Sequence, residues 1–216
     1  MRARSMKLAV GLFAAGVVAL VGQAASAEDL VEEDGVEVWF EVAGAPSGTL
    51  ALSVADDEVE LVKDEALSSD VRLHFTATLP TVTVTDTRDE IPDGAFWYVM
   101  GQAEDFVGDQ TPTPVTIPAA NLGWSPWALN APVDDDTGLP LISVGEDVPT
   151  ALADLGSDGL SDGADLLYLA EDSALVDAYE ELDSPGWHAE AELVLHTPAS
   201  IAEGKYTSIL TLSLFE

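Results

Sequence analysis

The chain contains no cysteine and only three histidines. This excludes a disulfide framework, and with it the usual support of small secreted modules, as well as nearly every zinc site built from cysteine and histidine. Basic residues are almost as scarce, with seven Lys and Arg against 40 Asp and Glu. Nucleic-acid binding depends on cations that release counterions from phosphate, so that partner class is excluded. The same imbalance disfavours direct contact with anionic wall polymers or anionic lipid unless divalent cations bridge the two. Clean helical periodicity is rare, and only one long apolar run occurs.

That run, Leu8 to Val21, follows Arg2, Arg4 and Lys7 and leads into Ala25-Ser26-Ala27. A basic start, an apolar centre and a small-x-small exit predict a cleavable signal peptide over residues 1–27. The apolar centre falls short of the roughly 20 residues a membrane span needs. The expected mature protein is therefore secreted, has no membrane span, and keeps only Lys63, Arg72, Arg88 and Lys205 as cations. An acidic arm over 28–35 is expected to precede a single domain over 36–216. With 47% hydrophobic residues, the mature chain has enough apolar content and length to fold around one core without disulfides.

Alternation with a period of two dominates what remains, and it marks strands with one buried face. Val36, Val38, Phe40 and Val42 alternate with Glu37, Trp39 and Glu41. Val71, Leu73, Phe75 and Ala77 alternate with Arg72, His74 and Thr76, Ala189, Ala191, Leu193 and Leu195 with Glu190, Glu192 and His196, and Leu210, Leu212 and Leu214 with Thr211 and Ser213. Thr81 to Thr85 is a β-branched strand. Turn clusters at Ala45 to Gly48, Ile91 to Gly94 and Asp134 to Gly138 punctuate these runs. The pattern predicts an all-β fold, a single antiparallel β-sandwich or barrel-like domain with long loops. Residues 148–182 read ambiguously, with Leu166, Leu167, Leu169 and Ala170 suited to a short helix and Gly156, Gly159 and Gly163 to a long loop.

Ordered blocks along the chain resemble the WxL surface domain of Gram-positive bacteria, especially actinobacterial forms. Gly48 to Val54 is similar to the opening strand, Leu79 to Arg88 to the strand ending in Asp-x-Arg, and Trp97-Tyr98-Val99 to the first Trp-x-Leu motif. Ile117 to Trp124 and Gly204 to Leu214 resemble the following block and the closing strand. Val99 stands in place of Leu, and Leu212 where the second Trp would be. The resemblance implies a secreted protein held non-covalently on cell-wall peptidoglycan or another surface polymer, without catalysis. It makes Trp97 and Tyr98 candidate ligand contacts. Position alone adds Trp39, on the polar face of its strand, and Trp124 with Trp127, in a loop around Pro126. Flat rings cover the apolar faces of sugars while polar neighbours take the hydroxyls. For each aromatic, packing in the core is the competing reading. Asp86 and Arg88 are read as a local ion pair fixing a strand end.

Two other chemistries are readable. Gly159-Leu160-Ser161-Asp162-Gly163 spells G-x-S-x-G, but a nucleophile elbow needs a buried strand before the serine, and Leu155 to Asp158 is turn-like. Asp154, Asp158, Asp162 and Asp165 recur through a Gly-rich loop and are candidate calcium ligands, although Gly156 at the third position departs from an EF-hand. Other surface proteins, met through strand edges, are the alternative partner class, and a wall-acting glycan hydrolase is the enzymatic one.

Overall fold

The computed structural model describes residues 48–92, 94–161, 165–177 and 186–216. The expected signal peptide, the acidic arm, the Val36 to Val42 strand with Trp39, and Asp162 lie outside the described residues. The fold is nearly all β, with antiparallel sheets curled into a half-barrel, as the alternation predicted.

The organising element is the long strand β11 (Trp187–Pro198). Its inward set Ala189, Ala191, Leu193 and Leu195 is buried, as expected from the pattern. Along one edge run β3 (Arg72–Thr78) and β4 (Val82–Asp86). Thr78 stands opposite Glu192 and Val82 opposite Ala189, so four steps on one chain match three on the other. β3 and β4 are thus one strand interrupted by a bulge around Pro80, a residue with no N–H to give to a ladder. Along the other edge of β11 lies β8 (Leu122–Ala128). The outer strands β1 (Leu50–Val54), paired to β4, and β2 (Val62–Lys63), paired to β3, complete this larger sheet.

A second, four-stranded sheet has the order β13 (Leu210–Phe215), β5 (Trp97–Ala103), β10 (Asp165–Ala170), β9 (Ile142–Val144). A small third sheet joins β6 (Phe106–Gly108) to β7 (Thr116–Ile117) and β12 (Tyr206–Thr207). One short helix, α1 (Ser173–Asp177), is the only α-helix among the described residues.

Two local expectations are corrected. Leu166 to Ala170 is a strand and not a helix, because a bulge between Leu166 and Tyr168 shifts the phase of the ladder. Leu167, Tyr168 and Ala170 are buried while Leu166 and Leu169 are only partly so, and this phase shift is why the run shows no clean alternation. The Trp124 to Trp127 segment is likewise a strand and not a loop. Pro126 stands opposite Ala191 on a strand that has β11 on one side only at this point, a position where proline is tolerated.

The core joins the two main sheets through aromatic rings. Trp97 and Tyr168 meet edge to face, with centroids 5.2 Å apart and planes at 78°. The Tyr168 hydroxyl donates to the Trp187 carbonyl at 3.0 Å, and burial pushes its pKa up. Trp124 reaches from β8 to the inner surface of β5, where Gly101 leaves room for it. A Cβ on Gly101 would stand 2.5 Å from Cη2 and 2.6 Å from Cζ3 of that ring. At the end of β4, Arg88 grips Asp86 with both Nε (2.9 Å) and Nη2 (2.6 Å), which is the ion pair read from the sequence.

Gly101→Ala is therefore expected to cost about 1–3 kcal/mol by overpacking, measured as a lower urea midpoint at constant slope. The double variant Gly101→Ala/Trp124→Leu should lose less than the sum of its two single changes. A Gly101→Ala protein as stable as the parent would show that Trp124 does not hold this contact.

Candidate functional site

Once β5 turns Trp97, Val99, Gly101 and Ala103 inward, it must turn Tyr98, Met100 and Gln102 outward. The burial along the strand follows this alternation. β13 does the same, sending Leu210, Leu212 and Leu214 toward the core and Thr211, Ser213 and Phe215 away. Phe215 stands opposite Tyr98, and Tyr98 opposite Leu169 of β10, so three apolar side chains form a transverse row on the outer face of the four-stranded sheet. Phe96, two residues before Tyr98, lengthens the row. The Phe215 and Tyr98 rings lie 5.0 Å apart with planes at 16°, and the Tyr98 and Phe96 rings 6.0 Å apart at 11°. Phe96 and Phe215 are 48% and 42% exposed. Beside the row runs a shallow groove of about 410 Å³ lined by Phe96, Tyr98, Met100, Leu166, Leu169 and Glu171, together with Ala170.

Of the residues singled out in the sequence, Tyr98 lies at the centre of this row. Trp97 and Trp124 do not line any surface. At 0% and 1% exposure they are core residues, and their candidacy as ligand contacts is corrected. Each such ring removes roughly 150–250 Å² from water, on the order of 4–6 kcal/mol, and both strands direct them inward. Trp127 is 36% exposed and stands opposite Glu190 on the larger sheet, so the structure does not bring it together with Tyr98. Phe96, Met100, Leu166, Leu169 and Phe215 were missed. The available signal was the outward phase of β5 and β13, which places Tyr98 and Phe215 in the same set of alternating positions.

The acidic loop gathers no metal-like cluster among the described residues. Asp154 accepts the Gly156 N–H at 3.0 Å, and the Asp158 carbonyl accepts the Ser161 hydroxyl at 2.6 Å, so both residues close turns. Asp165 starts β10, where burial raises its carboxyl pKa. Ser161 of the G-x-S-x-G sequence thus sits in a turn with its hydroxyl already bonded. The histidines are bonded elsewhere. His188 Nδ1 meets Thr83 Oγ1 at 2.8 Å, and His196 lies in a separate network.

In that network His196 of β11 faces His74 of β3 across the ladder, with Nε2 and Nδ1 2.7 Å apart. The other His196 nitrogen, Nδ1, lies 2.6 Å from Thr150 Oγ1. Arg72 fixes the same loop by donating from Nη1 to the Leu152 carbonyl at 2.8 Å. The pair therefore pins the 148–154 loop against the larger sheet. Burial, then the nearby positive charge of Arg72 and the His74 ring, push the His196 pKa down to about 4.

Comparison with protein-family models, with curated proteins and with solved structures found no match to this chain.

Between the ordinary histidine pKa of 6.5 and the folded value of about 4, the unfolded chain takes up a proton at His196 that the folded one refuses. Stability from this position is fully present above pH 6.5 and falls as the pH drops toward 4. Chemical denaturation from pH 7.5 to 4 should show His196→Gln losing less stability than the parent over that window. Parallel losses in the two proteins would place the acid sensitivity elsewhere.

Proposed function

We propose that this chain is an exported, non-catalytic surface protein that holds bacterial cell-wall glycan on the outer face of its four-stranded sheet. The observation that carries this reading is the exposed row of near-parallel rings Phe96, Tyr98 and Phe215. Two of the three are phenylalanines more than 40% exposed. Solvent gains nothing from them, so a contact surface is the economical reading. Rigid rings offer wide apolar contact at small entropic cost, which suits the C–H faces of a sugar chain. Glu171 at the groove and Ser213, opposite Met100, supply polar groups for hydroxyls along the same face.

Shape and charge favour the same class of ligand. An open groove on the outer face of a sheet accepts a polymer that runs past it, whereas a small substrate would call for a closed pocket. The acidic surface works against teichoic-type polyanions and leaves the sugar backbone of peptidoglycan as the wall component to be held. The resemblance to WxL domains in the strand ending Asp86 to Arg88 and in Trp97-Tyr98-Val99 supports the wall as the habitat, and it makes Tyr98 the shared point between the resemblance and the surface. The leader-like residues 1–27 support export.

The test is co-sedimentation of the mature protein, residues 28–216, with purified peptidoglycan. Saturable pelleting is expected, and Tyr98→Ala and Phe215→Ala should each weaken it about tenfold, the scale of an aromatic contact at the centre of an interface. Trp127→Ala should leave it within about twofold. Loss on Trp127→Ala with Tyr98→Ala unaffected would move the site to the larger sheet. No saturable pelleting with peptidoglycan or whole walls would overturn the wall-binding reading.

A further inference from the structure

Strand β13 pairs with β5 on one side and with no strand on the other among the described residues. Glu104 N–H donates to the Ile209 carbonyl at 2.9 Å, so the backbone of Ile209 faces β5. Alternate residues of an antiparallel strand turn their N–H and C=O the same way. Thr211, Ser213 and Phe215 therefore bond toward β5, while Leu210, Leu212 and Leu214 present their backbone groups to the open edge.

Such edges are ordinarily guarded by charge, proline, bulges or shortness. The β9 edge is short and is followed by Glu146 and Asp147, and β2 is two residues long and contains Lys63. β13 has none of these guards. Tyr206 to Phe215 contains no charged residue in a chain that is 22% charged, and no proline. The outer edge of β1 is also uncharged from Gly48 to Ala55. It borders, together with β13, a second groove of about 420 Å³, lined by Gly48, Thr49, Leu50, Leu214, Phe215 and Glu216 with Arg88. Charge returns at the ends, where Asp56, Asp57 and Glu58 follow β1 and are exposed, and where the Glu216 carboxylate beyond β13, 63% exposed, pairs with Arg88 at 2.8 Å.

We propose that the open edge of β13 is a strand-addition site for another protein. The segment it takes is extended, alternates apolar and polar side chains, and carries lysine or arginine at its ends. Added there, the segment gains backbone hydrogen bonds from Leu210, Leu212 and Leu214, and its terminal cations are drawn by the acidic field of a chain with 40 acids against seven bases. Charge decides between occupants. A second copy of this chain would bring a second field of 40 acids against seven bases, whereas a basic-ended strand is drawn in by the same field. The site uses the edge of the sheet, and its test does not depend on glycan binding on the face.

Amide exchange on the isotopically labelled mature protein tests this with two synthetic peptides, Lys-Thr-Val-Thr-Val-Thr-Val-Lys and the same sequence with glutamate at both ends. The lysine-ended peptide should slow exchange at Leu210, Leu212 and Leu214 at least tenfold and leave Thr211 and Ser213 unchanged. The glutamate-ended peptide should do so far less, and added salt should narrow the difference. A Thr211→Lys/Ser213→Lys protein, checked for a native melting profile, should lose the response. No slowing with either peptide, or equal slowing with both, would overturn the proposal. Slow exchange at these three amides in the dilute free protein would overturn it by showing the edge already taken, and slowing that grows with protein concentration alone would overturn it in favour of self-pairing.

Discussion

The contact of the Trp124 ring with the bare backbone of Gly101 ties the two main sheets together and fixes what each sheet shows to solvent. Trp124 belongs to β8 of the larger sheet and Gly101 to β5 of the four-stranded one. With only hydrogen at Gly101, the ring closes to the strand itself, within 2.6 Å of where a Cβ would stand. That closeness sets the phase of β5. If Gly101 faces inward, Trp97, Val99 and Ala103 do so too, and Tyr98 and Met100 have no choice but to face out. The same phase passes to β13 by its register with β5, which brings Phe215 beside Tyr98. The exposed aromatic row is thus a geometric consequence of a buried tryptophan on a different sheet. Tyr168, under Trp97 and bonded to the Trp187 carbonyl, supports the same joint from β10.

Charge works here by where it is left out. The chain carries 40 acids and no disulfide, so self-repulsion acts on a fold without covalent staples, and the core must outweigh it. Acids crowd into turns, where Asp64, Asp134 and Asp154 each accept backbone N–H groups of the following residues and so stabilise the loop that holds them. At Asp134 the Thr137 hydroxyl, together with the backbone N–H groups of Thr137 and Asp136, holds the carboxyl pKa below its ordinary value. Scarce cations are placed where one charge serves several groups. Arg88 ties Asp86 at the end of β4 to Glu216 at the end of the chain, and Arg72 fixes the loop beside the His74 and His196 pair. Between these acidic turns the outer face and the open edge of the four-stranded sheet remain nearly uncharged, and these are the surfaces proposed for contact.

Much of the fold was legible because a half-buried strand writes its two faces in alternate letters. The inward sets of β11 and β13 could be named from sequence, and so could the Asp86 and Arg88 pair. What failed to read were the places where the phase is broken. The bulge in β10 shifts the alternation by one residue, so Leu166 to Ala170 showed no period and suggested a helix. Pro126 in β8 suggested a loop, because only tertiary pairing with Ala191 reveals that its strand has a partner on one side alone at that residue. The site was half legible for the same reason. Tyr98 could be picked out, but Trp97 and Trp124 carry equal apolar weight whether buried or exposed, and only register decides between them. Phe96 and Phe215 stand 119 positions apart in the sequence numbering, and it is the pairing of β13 with β5 that lines them up.

That separation also bears on how a face and an edge of one sheet can serve different partners. A glycan on the row would touch ring carbons and side-chain polar groups and would ask nothing of the backbone, whereas an added strand would consume the free N–H and C=O groups of β13 and leave its side chains as they are. The two contacts draw on different atoms and meet at Ser213 and Phe215, whose side chains belong to the face and whose strand belongs to the edge. A segment bound beside Phe215 would extend the outer face by one strand. Whatever side chain it placed in line with Phe215, Tyr98 and Leu169 would lengthen the apolar row proposed to hold glycan. Strand addition would then strengthen wall attachment without moving any residue of this chain, through added area alone, and its effect on glycan affinity would be set by the partner's side chain at that single register position.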